Sequence, residues 1–364
     1  MRPSSSSSDV FAGVLSRGGV AEQVSGRAWL RALLEFEAAL ALAQAHAGII
    51  TAQEASEIAT VCEPERFDVD AIGAGSAEIG NPAGAVVKAL RAMTDAPVHQ
   101  GATSQDAVDT AAMLVTKRAL GPLRHDLHAA ADAAAELART HRDTPIIGRT
   151  LLQQAEPTTF GLKAAGWMLS LDEAADHLMN VRLSAQLGGP AGTLAPLPAF
   201  ARELGLDEPV IPWHTLRGRI GELAGALGVA AGAVGKAARD VTLLAQTEVG
   251  EVREGRGGGS TSMPHKHNPV AAISALGCAQ QAPGYVAALL AAMVQEHERA
   301  AGAWHSEWRP LCDLLVTVGS AAAWLRESLE GLDVDAGRMR ANLGAREPDT
   351  GAAALLVDRA LGAR

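Results

Sequence analysis

Hydrophobic residues recur along most of the chain at the three- and four-residue spacing of an α-helix. The clearest example is the segment 219–254, whose apolar stripe consists of Leu223, Leu227, Ala230, Val234, Ala237, Val241 and Leu244. A helix of this length would span roughly 50 Å at about 1.5 Å per residue, more than a compact domain needs. The narrow, small-residued stripe therefore predicts packing against several other helices in an extended bundle, often across subunits.

Five further segments show the same periodicity, namely 27–47, 105–142, 158–187, 269–300 and 310–330. Pro122 should kink or divide the second of them, because proline cannot donate a helix hydrogen bond. Strand patterns are scarce. The chain is therefore predicted to be all-α, an elongated bundle of long helices. Its loops predict an N-terminal helical domain at 1–100, a central long-helix bundle at 101–330 and a short C-terminal part at 331–364.

Composition narrows the classes of function. The formal net charge is −10, so wholesale binding to nucleic acid is not expected, and an anion site must be a local positive pocket. Aromatic residues are only 3% of the chain, which favours closely packed helices over a β-sandwich. We see no signal peptide and no uninterrupted apolar stretch long enough to cross a membrane, so we expect a cytoplasmic protein without a membrane partner.

The segment 257–269, GGGSTSMPHKHNP, has a composition that no regular helix or strand favours. Its glycines loosen the backbone, and Pro264 and Pro269 prevent regular continuation. It combines three hydroxyls, a lysine, two histidines and an asparagine. Backbone N–H groups, hydroxyls and an ammonium can converge on carboxylate oxygens, so the segment predicts a loop that binds an anion.

Two other polar clusters interrupt the helical pattern. Residues 99–110, HQGATSQDAVDT, contain a possible helix start at Thr103 or Ser104, where free N–H groups also attract anions. An ordinary helix cap explains Ser and Asp there equally well. Residues 148–159, GRTLLQQAEPTT, place two glutamines where they could hydrogen-bond a substrate, although taken alone this signal is weak. The segment 188–193 fits a tight turn between helices as well as it fits a binding loop.

Together, three donor-rich loops between long helices indicate one shared site for a polyanionic molecule. The three cysteines have no zinc-binding spacing, and His265 and His267 have no acidic or thiol partner nearby in sequence. No dinucleotide-binding fingerprint follows a strand. We therefore expect chemistry by protein side chains alone, with no metal and no cofactor.

The segment 259–269, GSTSMPHKHNP, resembles the signature loop of the fumarase/aspartase superfamily. This superfamily includes fumarases, aspartases, argininosuccinate and adenylosuccinate lyases, and 3-carboxy-cis,cis-muconate cycloisomerases. Residues 99–110 and 148–167 resemble the first and second shared regions, the former as it occurs in the cycloisomerases. Two further segments, 213–219 and 303–310, also resemble the cycloisomerase branch. The resemblance covers roughly residues 9–343.

The resemblance implies a reaction that breaks or forms a bond β to a carboxylate, through an aci-carboxylate bearing two negative charges on one carboxyl group. Donors and an ammonium would stabilise that dianion. It implies Ser260 as the base, together with Lys266 and His99 as catalytic residues. The implied substrate-binding residues are Thr103, Ser104, Gln105, Gln154, Arg217, Thr261, Met263 and Asn268. It further implies a homotetramer whose active sites are shared between chains.

Two departures from the family pattern matter. Many lyases of the superfamily carry a proton-relay histidine in the second region, where this chain has Gln154, and glutamine cannot shuttle a proton at neutral pH. The segment after Leu343 resembles only the final stretch of the family's small C-terminal domain, so that domain is expected to be truncated. The resemblance therefore favours a cycloisomerase acting on a tricarboxylate in the protocatechuate branch of aromatic degradation. Alternatives are an elimination lyase on a succinyl-type substrate and an inactive truncated paralogue.

Overall fold

The computed structural model of the chain describes residues 10–256, 258–259, 263 and 266–364. The described chain is mostly helical, as the periodicity predicts. Its helices are α1 (Ala12–Leu15), α2 (Val20–Gln23), α3 (Gly26–His46), α4 (Ala52–Val61), α5 (Val69–Ile79), α6 (Pro82–Arg91), α7 (Ser104–Thr140), α8 (Phe160–Met179), α9 (Pro198–Leu204), α10 (Gly218–Leu244), α11 (Val270–Ala279), α12 (Ala282–Ala291), α13 (Ala303–Glu330), α14 (Ala336–Asn342) and α15 (Ala353–Gly362).

Short antiparallel strand pairs connect the helices. Strand β1 (Pro145–Thr150) pairs with β2 (Gln153–Thr159) in a hairpin between α7 and α8. Strand β3 (Val252–Glu254) pairs with β6 (Leu332–Val334), and β4 (Gly258–Gly259) pairs with β5 (His267–Asn268). The strand pairs matter for function because they hold two of the three polar clusters.

The core lies between the long helices. Helix α7 packs against α3, α8 and α13, while α10 packs against α8, α11, α12 and α13. Alanines fill much of this core, and a run of them on α7 is completely buried at Ala130, Ala131, Ala134, Ala135 and Ala138. Such small side chains let helix axes approach closely, which explains how a protein so poor in aromatic residues fills its interior.

The long helix predicted at 219–254 is confirmed in position but not in length. It ends at Leu244, about 40 Å from its start at roughly 1.5 Å per residue. The chain turns after it, with Gly250 at a φ of 61°, and Glu251 then points into the protein and is fully buried. The apolar stripe continued past the turn, so periodicity alone overestimated the helix.

Three other boundaries differ from prediction. Pro122 lies inside α7 without dividing it into two assigned helices. The predicted helix 269–300 is two helices, because Pro283 lies at the start of α12. Helix α13 begins at Ala303, seven residues before the predicted 310, and continues through Pro310. At Pro122 and Pro310, burial against neighbouring helices outweighs the local effect of proline.

Helix α10 is long and apolar enough to cross a membrane, by length and composition alone. Charged residues such as Glu222 and Lys236 interrupt its sequence, so the expectation that no uninterrupted apolar stretch reaches this length stays a prediction. Of the most apolar 18-residue window, 56% is buried inside the fold. Packing in the middle of the bundle accounts for this composition.

The C-terminal part returns to the bundle. Helix α15 packs against α8 through the fully buried Val357. Arg142 at the end of α7 holds Asp358 with Nε–Oδ1 and Nη2–Oδ2 distances of 2.7 and 2.5 Å. The last helix is thus anchored to the same helices that form the core.

Candidate active site

The first polar cluster is organised around Asp106, in the first turn of α7. This side chain is fully buried, and its Oδ2 accepts hydrogen bonds from the backbone N–H groups of Thr103 and Gly189, each at 2.9 Å. Its Oδ1 accepts from the Gly188 N–H at 2.9 Å and lies 2.7 Å from His214 Nε2. One carboxylate therefore ties the start of α7 to two distant segments of the chain.

Glycine is required at the 188–189 turn for steric reasons. A Cβ on Gly188 would lie 2.6 Å from Pro212 Cβ and 2.9 Å from His214 Cε1, and Gly189 has a φ of +69°. The absence of side chains lets both N–H groups reach Asp106. Of the two interpretations of this segment, the structure supports a turn that braces the site.

Next to the Asp106 cluster lies a buried ionic network centred on Arg217. Its Nη1 and Nη2 donate to Asp109 Oδ2 and Oδ1 at 2.8 and 3.1 Å, and its Nε donates to Glu307 Oε1 at 3.0 Å. Nη2 also donates to Glu307 Oε2. The indole N–H of Trp304 donates to Asp109 Oδ1 at 3.0 Å. The network joins α7, α13 and the start of α10.

This geometry corrects the prediction that Arg217 binds substrate. All three guanidinium nitrogens donate to acceptors inside the protein, and the side chain is only 2% exposed. Burial opposes its charge, but the adjacent carboxylates of Asp109 and Glu307 raise the pKa of the guanidinium. Burial raises the pKa of Glu307, and Arg217 counteracts that effect. Arg217 therefore supports the site by holding Asp109 and Glu307 together in the interior.

Arg299, which the sequence analysis did not single out, contacts two of the predicted binding residues. Arg299, in the loop between α12 and α13, donates from Nη1 to Thr103 Oγ1 at 2.6 Å and from Nε to Gln105 Oε1 at 3.4 Å. Gln105 Nε2 donates to the His214 carbonyl at 2.8 Å. Ser104, at the same helix start, is partly exposed. The sequence interpretation placed Arg299 near the end of a predicted helix, which hid its approach to Thr103.

His99 lies in the turn before α7, with its side chain 11% exposed. Its Nδ1 is 2.6 Å from Oε1 of Glu37, a buried residue of α3. Its backbone has a φ of 63°, which is uncommon for a residue other than glycine. The sequence singled out His99 but gave no indication of its partner Glu37.

The signature segment is described in part. Lys266 is exposed, and its backbone N–H donates to the Met263 carbonyl at 3.0 Å, while Met263 is 41% exposed. Asn268 pairs with Gly258 between β5 and β4. The predicted base Ser260 and the predicted ligand Thr261 lie outside the described residues.

Both arms of this segment are anchored by Glu254. Its backbone carbonyl lies 2.8 Å from His267 Nε2. Its buried carboxylate accepts from the N–H groups of Ala271 and Ala272 at 3.0 and 2.8 Å, and from Ser328 Oγ at 2.6 Å. The carboxylate satisfies free N–H groups at the start of α11, where the helix dipole also favours negative charge. The stem that carries Lys266 and Asn268 is thereby attached to α11 and α13.

The second polar region forms the tip of the β1–β2 hairpin. Gln154 is exposed, and its Oε1 accepts from Arg346 Nη1 at 3.2 Å. The two turn residues, Leu151 and Leu152, have φ of 51° and 63° and are 96% and 75% exposed. At the hairpin's base, Arg149 donates to both oxygens of the buried Glu251 at 2.8 Å. Exposed leucines in left-handed backbone are unfavourable for an isolated chain, and such strain is typical of functional positions.

A single chain therefore brings only some of the predicted residues together. Thr103, Gln105 and Arg217 belong to one hydrogen-bonded neighbourhood at the start of α7. In the part of the chain that the structure describes, the hydrogen bonds of Gln154 and of the β4–β5 stem go elsewhere.

The chain is similar to known lyases and cycloisomerases. A family model described as "Lyase" matches residues 17–284. The chain is 46% identical to a 3-carboxy-cis,cis-muconate cycloisomerase of Bradyrhizobium diazoefficiens, over 93% of this chain and 80% of that protein. It is also 46% identical to a nitrosuccinate lyase of Streptomyces davaonensis, over 92% and 77%. The crystal structure of the 3-carboxy-cis,cis-muconate lactonizing enzyme from Pseudomonas putida superposes with a TM-score of 0.87 at 39% identity, covering 97% of this chain and 87% of that one.

These matches, added to a long-helix bundle with a glycine-rich polar loop, identify an enzyme of the lyase class. The chain belongs to the fumarase/aspartase superfamily. The predicted family, the all-α bundle and the enzymatic nature of the protein are thereby confirmed. The roles of individual site residues and the proposed domain boundaries stay predictions.

Proposed function

We propose that this enzyme is a 3-carboxy-cis,cis-muconate cycloisomerase, an intramolecular lyase of aromatic degradation in the cytoplasm. The observation that carries the proposal is the neutral Gln154, hydrogen-bonded to Arg346 at the second-region position where many related lyases have a proton-relay histidine. Several proteins bearing the cycloisomerase name are 42–46% identical to this chain. Lactone formation moves a single proton, so it suits a site that has Gln154 in place of the relay histidine.

In lactone formation, a carboxylate oxygen adds to a carbon of the diene, and the electrons of that double bond pass into a neighbouring carboxyl group. One C–O bond forms, and one proton reaches the adjacent carbon, so substrate and product are isomers. The intermediate is an aci-carboxylate with two negative charges. Ser260 carries the proton in either direction, and Lys266 and Asn268 bind the carboxyl group that accumulates charge. The alkoxide form of Ser260 requires nearby donors and positive charge.

A second carboxylate of the substrate binds at the start of α7. Thr103, Ser104 and Arg299 lie there, and the helix N-terminus adds its own N–H groups. A guanidinium can hold a carboxylate with two parallel hydrogen bonds. The contact of Arg299 with Thr103 and Gln105 keeps it at this position before substrate arrives.

Replacing Arg299 with alanine is therefore expected to raise KM for the tricarboxylate about tenfold or more, because a hydrogen-bonded charge partner of the substrate is lost. Steady-state kinetics measure the change. Lys236→Ala, which removes an exposed lysine paired with Asp240 on α10, is the matched loss of one positive charge. If Arg299→Ala has the KM of the wild type, the second carboxylate does not bind at this position.

We infer a homotetramer whose active sites are shared between chains. Residues 269–294 contain no charged side chain, yet several of their apolar residues face outward. Ile273, Leu290 and Val294 are 50%, 47% and 86% exposed. An uncharged surface of this kind marks a contact between proteins. The exposed leucines of the hairpin tip, Leu151 and Leu152, fit the same interpretation, because a second copy could cover them.

The assembly is tested by light scattering on the purified protein, with a mass of four chains expected. Leu290→Asp should shift the mass toward smaller species, because it places a charge on the uncharged surface. Leu356→Asp, at a 42% exposed position on α15, is the matched control and should leave the mass unchanged. A wild-type protein that remains a monomer at micromolar concentration would contradict the shared site.

The catalytic proposal is tested by mixing the enzyme with 3-carboxy-cis,cis-muconate and following the loss of the diene's ultraviolet absorbance. NMR of the product should show a lactone ring. The alternative function is elimination from a succinyl-type substrate, which the 46% identity to nitrosuccinate lyase favours. A constant diene absorbance, combined with formation of fumarate from nitrosuccinate, would replace the first proposal with the second.

A further inference from the structure

The buried carboxylate of Glu37 contacts the imidazole of His99. Glu37 lies within α3 and is 2% exposed, and its Oε1 is 2.6 Å from His99 Nδ1. Its other oxygen, Oε2, is buried and has no hydrogen-bond partner. Among the described residues, His99 is thus the hydrogen-bond partner on which this carboxylate depends. A buried carboxylate with a single partner is unusual. Taking an ionised group out of water costs on the order of several kcal/mol of folding free energy, and partners inside the protein must offset that cost.

Helix α3 also positions the turn that carries His99. Gln44 Nε2 donates to the Gln100 carbonyl at 2.7 Å, two helical turns beyond Glu37. The fully buried Phe36 packs its ring 6.1 Å from the His99 ring. These contacts hold the turn while His99 adopts its left-handed backbone at a φ of 63°. The strain is retained because the imidazole gains its bond to Glu37.

The pair determines which ring nitrogen is available. A carboxylate oxygen can only accept, so Nδ1 carries a proton when Glu37 is ionised. The nitrogen Nε2 makes no hydrogen bond within the described parts of the chain, and it is the atom left for a ligand. The nearby thiol of Cys62 does not compete for the proton, since burial and the charge of Glu37 raise its pKa to about 12.

We propose that Glu37 is a positioning residue that fixes His99 with Nδ1 protonated and directs Nε2 toward the substrate. The proposal rests on the proposed function only for the identity of the substrate. The hydrogen bond that one ring nitrogen makes fixes the role of the other. Neutral His99 then offers a lone pair at Nε2.

The first test reads the ring nitrogens directly and needs no substrate. Protein labelled with ¹⁵N at histidine is sedimented and studied by magic-angle-spinning NMR, and His99 is assigned by its loss in His99→Gln. We expect a protonated Nδ1 in the wild type. A bare Nδ1 with a protonated Nε2 would overturn the proposal, because Glu37 would then be the donor. This result does not depend on which reaction the enzyme catalyses.

The second test measures catalysis in Glu37→Gln, which keeps the shape of the side chain. We expect kcat/KM to fall about tenfold to a hundredfold, the size of one lost hydrogen bond to a charged group. The His99 signals should show a mixture of tautomers. Glu35→Gln, two residues earlier on α3 and paired with Arg118 at the surface, is the matched control and should behave as the wild type. Unchanged tautomer and kinetics in Glu37→Gln would reduce Glu37 to a packing residue.

Discussion

Replacing Arg217 with methionine is expected to destabilise the folded protein by about 3–5 kcal/mol, the range for a broken buried ion pair. Methionine has a similar length but no charge. It leaves Asp109 and Glu307 together in the interior, where both are almost completely buried. Two like-charged carboxylates without their common guanidinium repel each other, and at least one must take up a proton. The midpoint of thermal or urea unfolding measures the effect.

The matched control is Arg309→Met on α13. Arg309 pairs with Asp313 at 2.9 Å, but its side chain is 85% exposed. Pairs of this kind contribute about 1 kcal/mol or less. Adding Asp109→Asn and Glu307→Gln to Arg217→Met should recover part of the lost stability, because the stranded charges are removed. Equal losses in Arg217→Met and Arg309→Met would show that the buried network does not support the fold.

Replacing Ser260 with alanine is expected to lower kcat by about a hundredfold to ten-thousandfold, the contribution typical of a positioned general base or acid. The change removes only a hydroxyl oxygen, so the assembly and the unfolding temperature should stay as in the wild type. KM should change little if carboxylate binding falls to Lys266, Asn268 and Arg299. The ratio of the kcat effect to the KM effect separates catalysis from binding.

Ser262→Ala is the natural comparison, since it removes a second hydroxyl from the same loop. We expect it to retain most of the wild-type kcat. If Ser262→Ala loses activity and Ser260→Ala keeps it, the base is two residues further along the chain. If neither change matters, proton transfer belongs to a group other than these two hydroxyls.

The helical architecture follows from the sequence because its signals are long and local. The stripe of α10 and the periodicity of α3 and α7 repeat over many turns, so single substitutions do not obscure them. Helix ends were less predictable. The stop of α10 at Leu244 depends on the burial of Glu251 against Arg149, a partner about a hundred residues away. No window of local sequence contains that information.

In the candidate site, too, local features were predictable and features that depend on distant partners were not. The polar loops were recognisable because glycine, proline and clustered donors are local features. The roles of Arg217, Arg299 and Glu37 were not, since each depends on a partner brought close by the fold. Arg217 was predicted to face the substrate and is instead enclosed by Asp109 and Glu307. Charge alone does not distinguish a binding residue from one that supports the site.

The most direct test of the proposed function compares two reactions on one enzyme preparation. The value of kcat/KM is measured for lactone formation from 3-carboxy-cis,cis-muconate and for elimination from nitrosuccinate, with Ser260→Ala as the inactive reference for both. With the proposed function, we expect lactone formation to be faster by at least about tenfold, a difference of roughly 1.4 kcal/mol between the transition states. Faster elimination from nitrosuccinate, with the diene left intact, would contradict it.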